Sequence, residues 1–288
     1  MRVIKNRIRA GKKMNYDENI LKAREAIQKA DAVLITSGAG MGVDSGLPDF
    51  RGNEGFWKAY PPMAKLGISF MDMANPLWFQ KNPKLAWGFY GHRFNLYRQT
   101  IPHKGFSLLL NLVKQKNNNY FIFTSNVDGQ FQRAGFADDR IEECHGSVFH
   151  FQCTLPCNEN IWKADLTHID IDEDTFEARE PFPSCPVCGN LARPNVLMFG
   201  DWLWVANRSQ KQSQNMLYWL NRVSQNGHKL VVIECGAGKA VPTVRHTSES
   251  IARQYGGILI RINPRDYEVP GPGIPLPLTS LGGLSNLL

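Results

Sequence analysis

AVLITSGAGMGVDSGLPDFR, residues 32–51, is the stretch on which the fold turns. It opens with a short apolar, β-branched run, Ala32 to Thr36, the pattern of a buried strand. Glycines follow at 38, 40, 42 and 46, then Pro48, Asp49, Phe50 and Arg51. A strand running into Gly-Ala-Gly brings backbone N–H groups close to a pyrophosphate, because glycine lacks the Cβ that would block the approach. A ligand-free tight turn explains a bare Gly-x-Gly equally well. Nothing in turn chemistry, however, asks for Asp-Phe-Arg after it.

Outward from this stretch, three more runs read as buried strands: Asn119–Thr124 (NYFIFT), Lys229–Glu234 (KLVVIE) and Ile258–Asn263 (ILIRIN). Asp17 to Lys29 carries apolar residues on one helical face and leads into the first strand. Residues 56–97 are rich in aromatics and methionine, punctuated by Pro61, Pro62, Pro76 and Pro83, and predict two or three short helices packed into a small module. Beyond Asp266 the chain is rich in proline and glycine, a wrapping tail with room for one short closing helix.

At 288 residues with 20% charged and 43% hydrophobic composition, the chain suits one large domain, or one large and one small. No apolar run reaches the roughly 20 residues of a membrane span, and a cytoplasmic location is expected. The formal charge of +7 is concentrated at the start, where Arg2, Lys5, Arg7, Arg9, Lys12 and Lys13 occur without an acid. The remainder is nearly neutral, which gives no indication of a nucleic-acid-binding face. The basic leader, residues 1–16, reads as a disordered arm; a weak targeting peptide or an early start ahead of Met14 are the other readings.

Four of six cysteines form two close pairs, Cys153-x3-Cys157 and Cys185-x2-Cys188, separated by 27 residues. In a chain without a secretory signal this spacing argues for metal rather than disulfides. Four thiolates fill a zinc tetrahedron and leave no position for substrate, so the ion is structural. The insert between the pairs, Asn158 to Arg179, holds seven acids and is expected to be an exposed excursion.

Taken together, these motifs resemble the sirtuins, NAD-dependent protein deacylases. GAGMGVDSGLPDFRG matches their cofactor signature, and Ser125-Asn126-Val127-Asp128 resembles their Thr-Gln-Asn-Ile-Asp motif, with serine in place of glutamine. His145, in Glu143-Cys144-His145-Gly146-Ser147, stands where their catalytic histidine falls, between that motif and the first cysteine pair. Residues 189–201, GNLARPNVLMFGD, resemble the CGGxLRPDVVxFGE stretch that pairs with substrate peptide by strand addition. Cys235-Gly236-Ala237-Gly238 departs most, keeping glycines but losing the usual Thr and Ser hydroxyls, and Asn263 matches the Ile-Asn at the adenosine half. Tyr90 and Arg93, on one helical face, match the Tyr-x-x-Arg pair of the branch that removes succinyl and other acidic acyl groups; an exposed arginine beside a packed tyrosine is the alternative.

The fold implied by the resemblance is α/β: a doubly wound, parallel-sheet, Rossmann-like NAD domain (17–52, 101–148 and 191–288) with a smaller helical and zinc-ribbon domain (53–100 and 149–190). The implied function is NAD-dependent lysine deacylation of a protein or peptide, with NAD as cofactor and structural zinc. Gly38, Ala39 and Gly40 would hold the pyrophosphate, Phe50 and Arg51 the nicotinamide side together with Asp49, Ser125 and Asn126 a ribose, and Asp128 the carboxamide. Gly236, Ala237, Gly238 and Asn263 would face the adenosine half. His145 is the expected general base, with Asn126 beside it, and Val196, Leu197 and Phe199 would wall the acyl-lysine tunnel. The same cofactor site would also serve ADP-ribosyl transfer to protein or NAD hydrolysis, which stay open as alternatives.

Overall fold

The computed structural model describes residues 16–49, 52–166 and 168–288. In chain order, α1 (Tyr16–Lys29) leads into β1 (Ala32–Ser37), and a run of helices follows: α2 (Gly52–Ala59), α3 (Pro61–Lys65), α4 (Phe70–Met73), α5 (Trp78–Lys81), α6 (Pro83–Gln99) and α7 (Lys104–Gln115). Next come β2 (Tyr120–Thr124), α8 (Gln130–Arg133), β3 (Ile141–Glu143), β4 (Gly146–Cys153), β5 (Trp162–Lys163) and β6 (Ala192–Val196). The chain closes with α9 (Asn207–Gln225), β7 (Leu230–Cys235), α10 (Thr243–Gln254), β8 (Ile258–Ile262), β9 (Ile274–Leu276) and α11 (Ser280–Leu287).

Six strands form one sheet in the order β3-β2-β1-β7-β8-β9, and every neighbouring pair is parallel. This is the doubly wound order, whose direction reverses between β1 and β7, and ligands of such sheets lie at the carboxyl ends of the strands at that switch. The strands are apolar throughout because helices cover both faces. Val33, Ile35, Ile122, Val231 and Ile233 point to the face packed by α1, α7 and α11. The alternating residues Leu34, Phe121, Phe123 and Val232 meet Met216, Trp219 and Leu220 of α9 and Val244 and Ile251 of α10.

A separate core joins the helical segment to the cysteine-bearing segment. Phe56, Tyr60, Met63, Phe79, Trp87, Phe89 and Phe94 pack with Phe151, Ala192, Val196 and Met198, beside the antiparallel sheet β5-β4-β6. The helical segment holds four short helices and one of 17 residues instead of two or three short ones. The acidic insert is not a wholly exposed excursion either. Ile169, Phe176 and Ala178 are buried in this core, and a Cβ at Gly88 of α6 would stand 2.1 Å from the Phe176 carbonyl oxygen, so the insert lies directly on the helix. Among the described residues no helix is long and apolar enough to cross a membrane.

Candidate active site

At the switch point two loops meet backbone to backbone. The Gly38 amide donates to the Cys235 carbonyl (3.1 Å), and the Gly40 amide to the Gly236 carbonyl (3.0 Å). Gly236 has φ of 64°, and a Cβ there would lie 2.3 Å from the Gly40 carbonyl carbon, so conformation and space both require glycine. Ala39 is exposed at the tip, and open space surrounds Gly238. Asn263 is fully buried: its Nδ2 donates to the Ala237 carbonyl (2.8 Å) and its Oδ1 accepts from the Arg265 and Asp266 amides (3.0 Å each). Its side chain thus shapes the loop from within. Asp49 forms an ion pair with Arg265 at 3.7 Å, joining the first glycine loop to the loop after β8. Phe50 and Arg51 lie outside the described residues.

The end of β2 is stitched to β1 by hydroxyls. Ser37 Oγ donates to Thr124 Oγ1 (2.8 Å), which also accepts from the Asn126 amide (3.0 Å), while the Ser125 amide reaches the Ser37 carbonyl (3.1 Å). Asp128 is buried, with Oδ1 accepting from the Gln130 amide (3.0 Å). Burial pushes its pKa up to about 6, against the Gln130 hydrogen bond and with Glu143 adding to the rise.

His145 sits where the end of β3 turns into β4. The Cys144 amide donates to the Thr124 carbonyl (3.0 Å) and the Leu197 amide to the His145 carbonyl (3.0 Å). Burial lowers the imidazole pKa below its ordinary 6.5, opposed by a hydrogen bond from the ring to the Ser125 carbonyl. The ring is therefore neutral at physiological pH, with one nitrogen engaged by Ser125 and the other an acceptor for a proton. The Leu197 contact joins this histidine to the stretch after β6. Val196 is buried, Leu197 is exposed and Phe199 is half-buried, with its amide on the Ala74 carbonyl (2.9 Å) and its ring 6.1 Å from Phe70.

Two buried devices hold this stretch in place. Arg193 and Asp201 form a bidentate pair at 2.7 and 2.8 Å with both side chains out of solvent. Asn195 donates to Gln152 Oε1 (2.9 Å) and to the Val205 carbonyl (2.8 Å). Next to Asp201, Trp202 is 95% exposed. Arg193, Asn195 and Asp201 all stand in the quoted family stretch, but the pairing of Arg193 with Asp201 and of Asn195 with Gln152 shows only once the chain is folded.

On α6, Tyr90 and Arg93 are both buried. Arg93 Nε donates to the Tyr97 hydroxyl (2.9 Å), and the guanidinium carbon lies 5.4 to 5.8 Å from the ring centroids of Phe89, Tyr90 and Tyr97. The Tyr90 hydroxyl is out of solvent and makes no hydrogen bond among the described residues. Burial pushes its pKa up to about 12, so it stays a donor.

The four cysteine sulfurs lie within 4.8 Å of one another, with Cys153–Cys188 and Cys157–Cys185 both at 3.7 Å. Zinc–sulfur bonds of about 2.3 Å imply a tetrahedron edge of about 3.8 Å. The thiols are too far apart for disulfides and spaced as a Zn(Cys)4 site requires.

A doubly wound sheet with paired glycine loops at its switch, beside a second core carrying a thiol tetrahedron, defines a nucleotide-binding α/β protein with a structural metal site. The Sir2 family profile matches residues 38–218, and the chain belongs to the Sir2 family. It is similar to NAD-dependent protein deacylase 1 of Caldanaerobacter subterraneus subsp. tengcongensis, 33% identical over 87% of this chain and 88% of that one. The NAD-dependent protein deacylase of Leptospira interrogans is 30% identical over 86% of each chain. Among solved structures, a Sir2 homolog–NAD complex superposes with a TM-score of 0.66 at 25% identity, covering 93% of this chain and 91% of that one. An ADP-ribose complex of a Sir2 homologue gives 0.65 at 26%, covering 92% and 93%.

Proposed function

We propose that this chain is an NAD-dependent protein lysine deacylase acting on acylated lysine in a protein or peptide, with acidic acyl groups such as succinyl among its substrates. The observation that carries the reading is the position of His145: a neutral imidazole anchored on Ser125 beside Asn126, with its carbonyl bonded to Leu197 of the substrate stretch. Its closeness to both stretches supports a base that stands between the cofactor loop and the peptide strand and serves both.

When bound, NAD would supply an anomeric carbon that gives up nicotinamide to the acyl oxygen, and with the uptake of one water the products are deacylated lysine, nicotinamide and O-acyl-ADP-ribose. The chain's own work is to bind and to move one proton. The loops at Gly38–Gly40 and Gly236–Gly238 receive the phosphates and the adenosine half on the amides that the crossing does not engage, those of Ala39, Ala237 and Gly238. Asp128, ionised above about pH 6, accepts from the carboxamide, and Asn126 and Ser125 hold the adjoining ribose. His145 takes the proton of a ribose hydroxyl. Val196, Leu197 and Phe199 wall the lysine, and residues 149–190 with 53–100 form the smaller domain, in which Cys153, Cys157, Cys185 and Cys188 hold zinc.

The acyl preference rests on the unpartnered Tyr90 hydroxyl beside the Arg93 guanidinium. A carboxylate accepts from both, and nothing else among the described residues satisfies that hydroxyl. The test is turnover of matched acetyl-lysine and succinyl-lysine peptides with NAD, following peptide mass and nicotinamide. Peptide deacylation lost in His145→Ala is expected, as is a succinyl preference lost in Arg93→Met. Nicotinamide release with no change in the peptide would overturn the reading in favour of NAD hydrolysis or ADP-ribosyl transfer.

A further inference from the structure

The loop after β7 has lost the hydroxyls that its family places there, and the loop after β8 leans on it through a buried ionic cluster that the mechanism does not use. Glu234 and Arg261 are register partners on β7 and β8, each one residue before its strand ends. Both side chains are fully buried, and Arg261 Nη2 reaches Glu234 (2.9 Å) and Glu249 of α10 (2.8 Å). Stability alone does not call for such a pair, since apolar residues of similar volume serve a core equally well or better.

The remaining donors of the cluster point at backbone. Arg261 Nη1 donates to the Glu268 carbonyl (2.6 Å), and Arg245 donates to the carbonyls of Asp266 (2.6 Å), Glu268 (3.1 Å) and, more weakly, Ala237 (3.4 Å). The Ala237 carbonyl also accepts from Asn263 Nδ2 (2.8 Å), and the carbonyl of its neighbour Gly236 accepts from the Gly40 amide. An unbroken set of hydrogen bonds thus runs from a buried guanidinium through the loop after β8 to the glycine crossing. Lys239, which pairs with Asp266 at 3.6 Å and Glu268 at 3.2 Å, is exposed and contributes little.

We infer that Arg261 is a positioning residue for the cofactor: with Glu234, Glu249 and Arg245 it holds residues 263–268 against Ala237 and so sets the affinity of the adenosine half of NAD. The inference rests on the reading that the β1/β7 crevice binds NAD. A loop that recognises its ligand through backbone amides must hold that backbone in place, and the cluster does so without hydroxyl side chains.

The test is the double variant Glu234→Leu/Arg261→Met, in which apolar side chains replace the fully buried pair and only the partly exposed Glu249 loses its ion-pair partner. Three measurements are made: amide hydrogen exchange of 264–269 without cofactor, NAD affinity by calorimetry without peptide, and steady-state kinetics. Losing a charge-assisted anchor predicts faster exchange in 264–269, NAD binding about tenfold weaker and a matching rise in KM for NAD, with kcat and peptide KM unchanged. Glu249→Gln, which leaves the Glu234 pair intact, shifts exchange and affinity the same way by about threefold and covers the case in which the double variant fails to fold. Wild-type NAD affinity despite faster exchange, or a loss in kcat alone, would overturn the inference. Faster exchange in a protein whose wild type binds no NAD would instead overturn the cofactor reading on which it rests.

Discussion

Glu142 offers the sharpest test of the energetics around the site. It lies on β3 beneath α9, 6% exposed, with one carboxylate oxygen making no hydrogen bond among the described residues. Burial pushes its pKa from 4.5 up to about 7, opposed only by a bond from the Ser213 hydroxyl. The folded state therefore holds a proton that the unfolded chain releases between pH 4.5 and 7. Wherever the folded state binds more protons, stability falls as pH rises. The carboxyl's full benefit is present below pH 4.5 and is lost by about pH 7. A shift of this size corresponds to about 3 kcal/mol, of which 2–3 kcal/mol falls between about pH 5 and 8. Glu142→Gln replaces the protonated acid with a neutral group of the same shape, so the variant gains on wild type by that amount across the window. Urea unfolding followed by tryptophan fluorescence at several pH values measures it, and differencing the two proteins cancels Asp128 and His145, which titrate in both. Stability profiles that run parallel from pH 5 to 8 would refute the reasoning.

Two further outcomes follow from the second core. Asp201→Asn leaves Arg193 as an unpaired buried charge and is expected to cost about 3–5 kcal/mol, and Asp201→Glu, the residue usual in the family, about 1–3 kcal/mol by overpacking a closed pair; urea midpoints measure both. The purified protein is expected to carry about one zinc per chain, and Cys185→Ser to lose the metal along with the near-ultraviolet circular dichroism of the aromatic core, as read by elemental analysis and spectroscopy.

Much of the sheet was legible because its signals are local. The apolar runs that became β1, β2, β7 and β8 are buried on both faces, and such strands show as continuous β-branched stretches. By contrast, β9 is hidden in Ile274-Pro275-Leu276, where proline argues against a strand until its place at the sheet edge is known. The acidic insert misleads for a related reason. Its charges dominate the composition, but two apolar residues, Ile169 and Phe176, decide its path, and they act through glycines on a distant helix.

The residues proposed to carry the chemistry were legible as types and in order, whereas the contacts that position them were not. Asn126 and His145 illustrate the difference. Both depend on Thr124: its hydroxyl accepts the Asn126 amide, and its carbonyl accepts the amide of Cys144, next to His145. Ser37 in turn fixes Thr124 from the neighbouring strand, across 87 residues of chain. Threonine and serine at strand ends carry no signal of such a role, because half of each hydrogen bond belongs to a strand whose register is set elsewhere. The same holds for Glu234 and Arg261, unremarkable as single charges in two apolar runs and side by side only once β7 and β8 pair. In this fold the motifs name the candidate groups, and the parallel register of four central strands determines where each one sits.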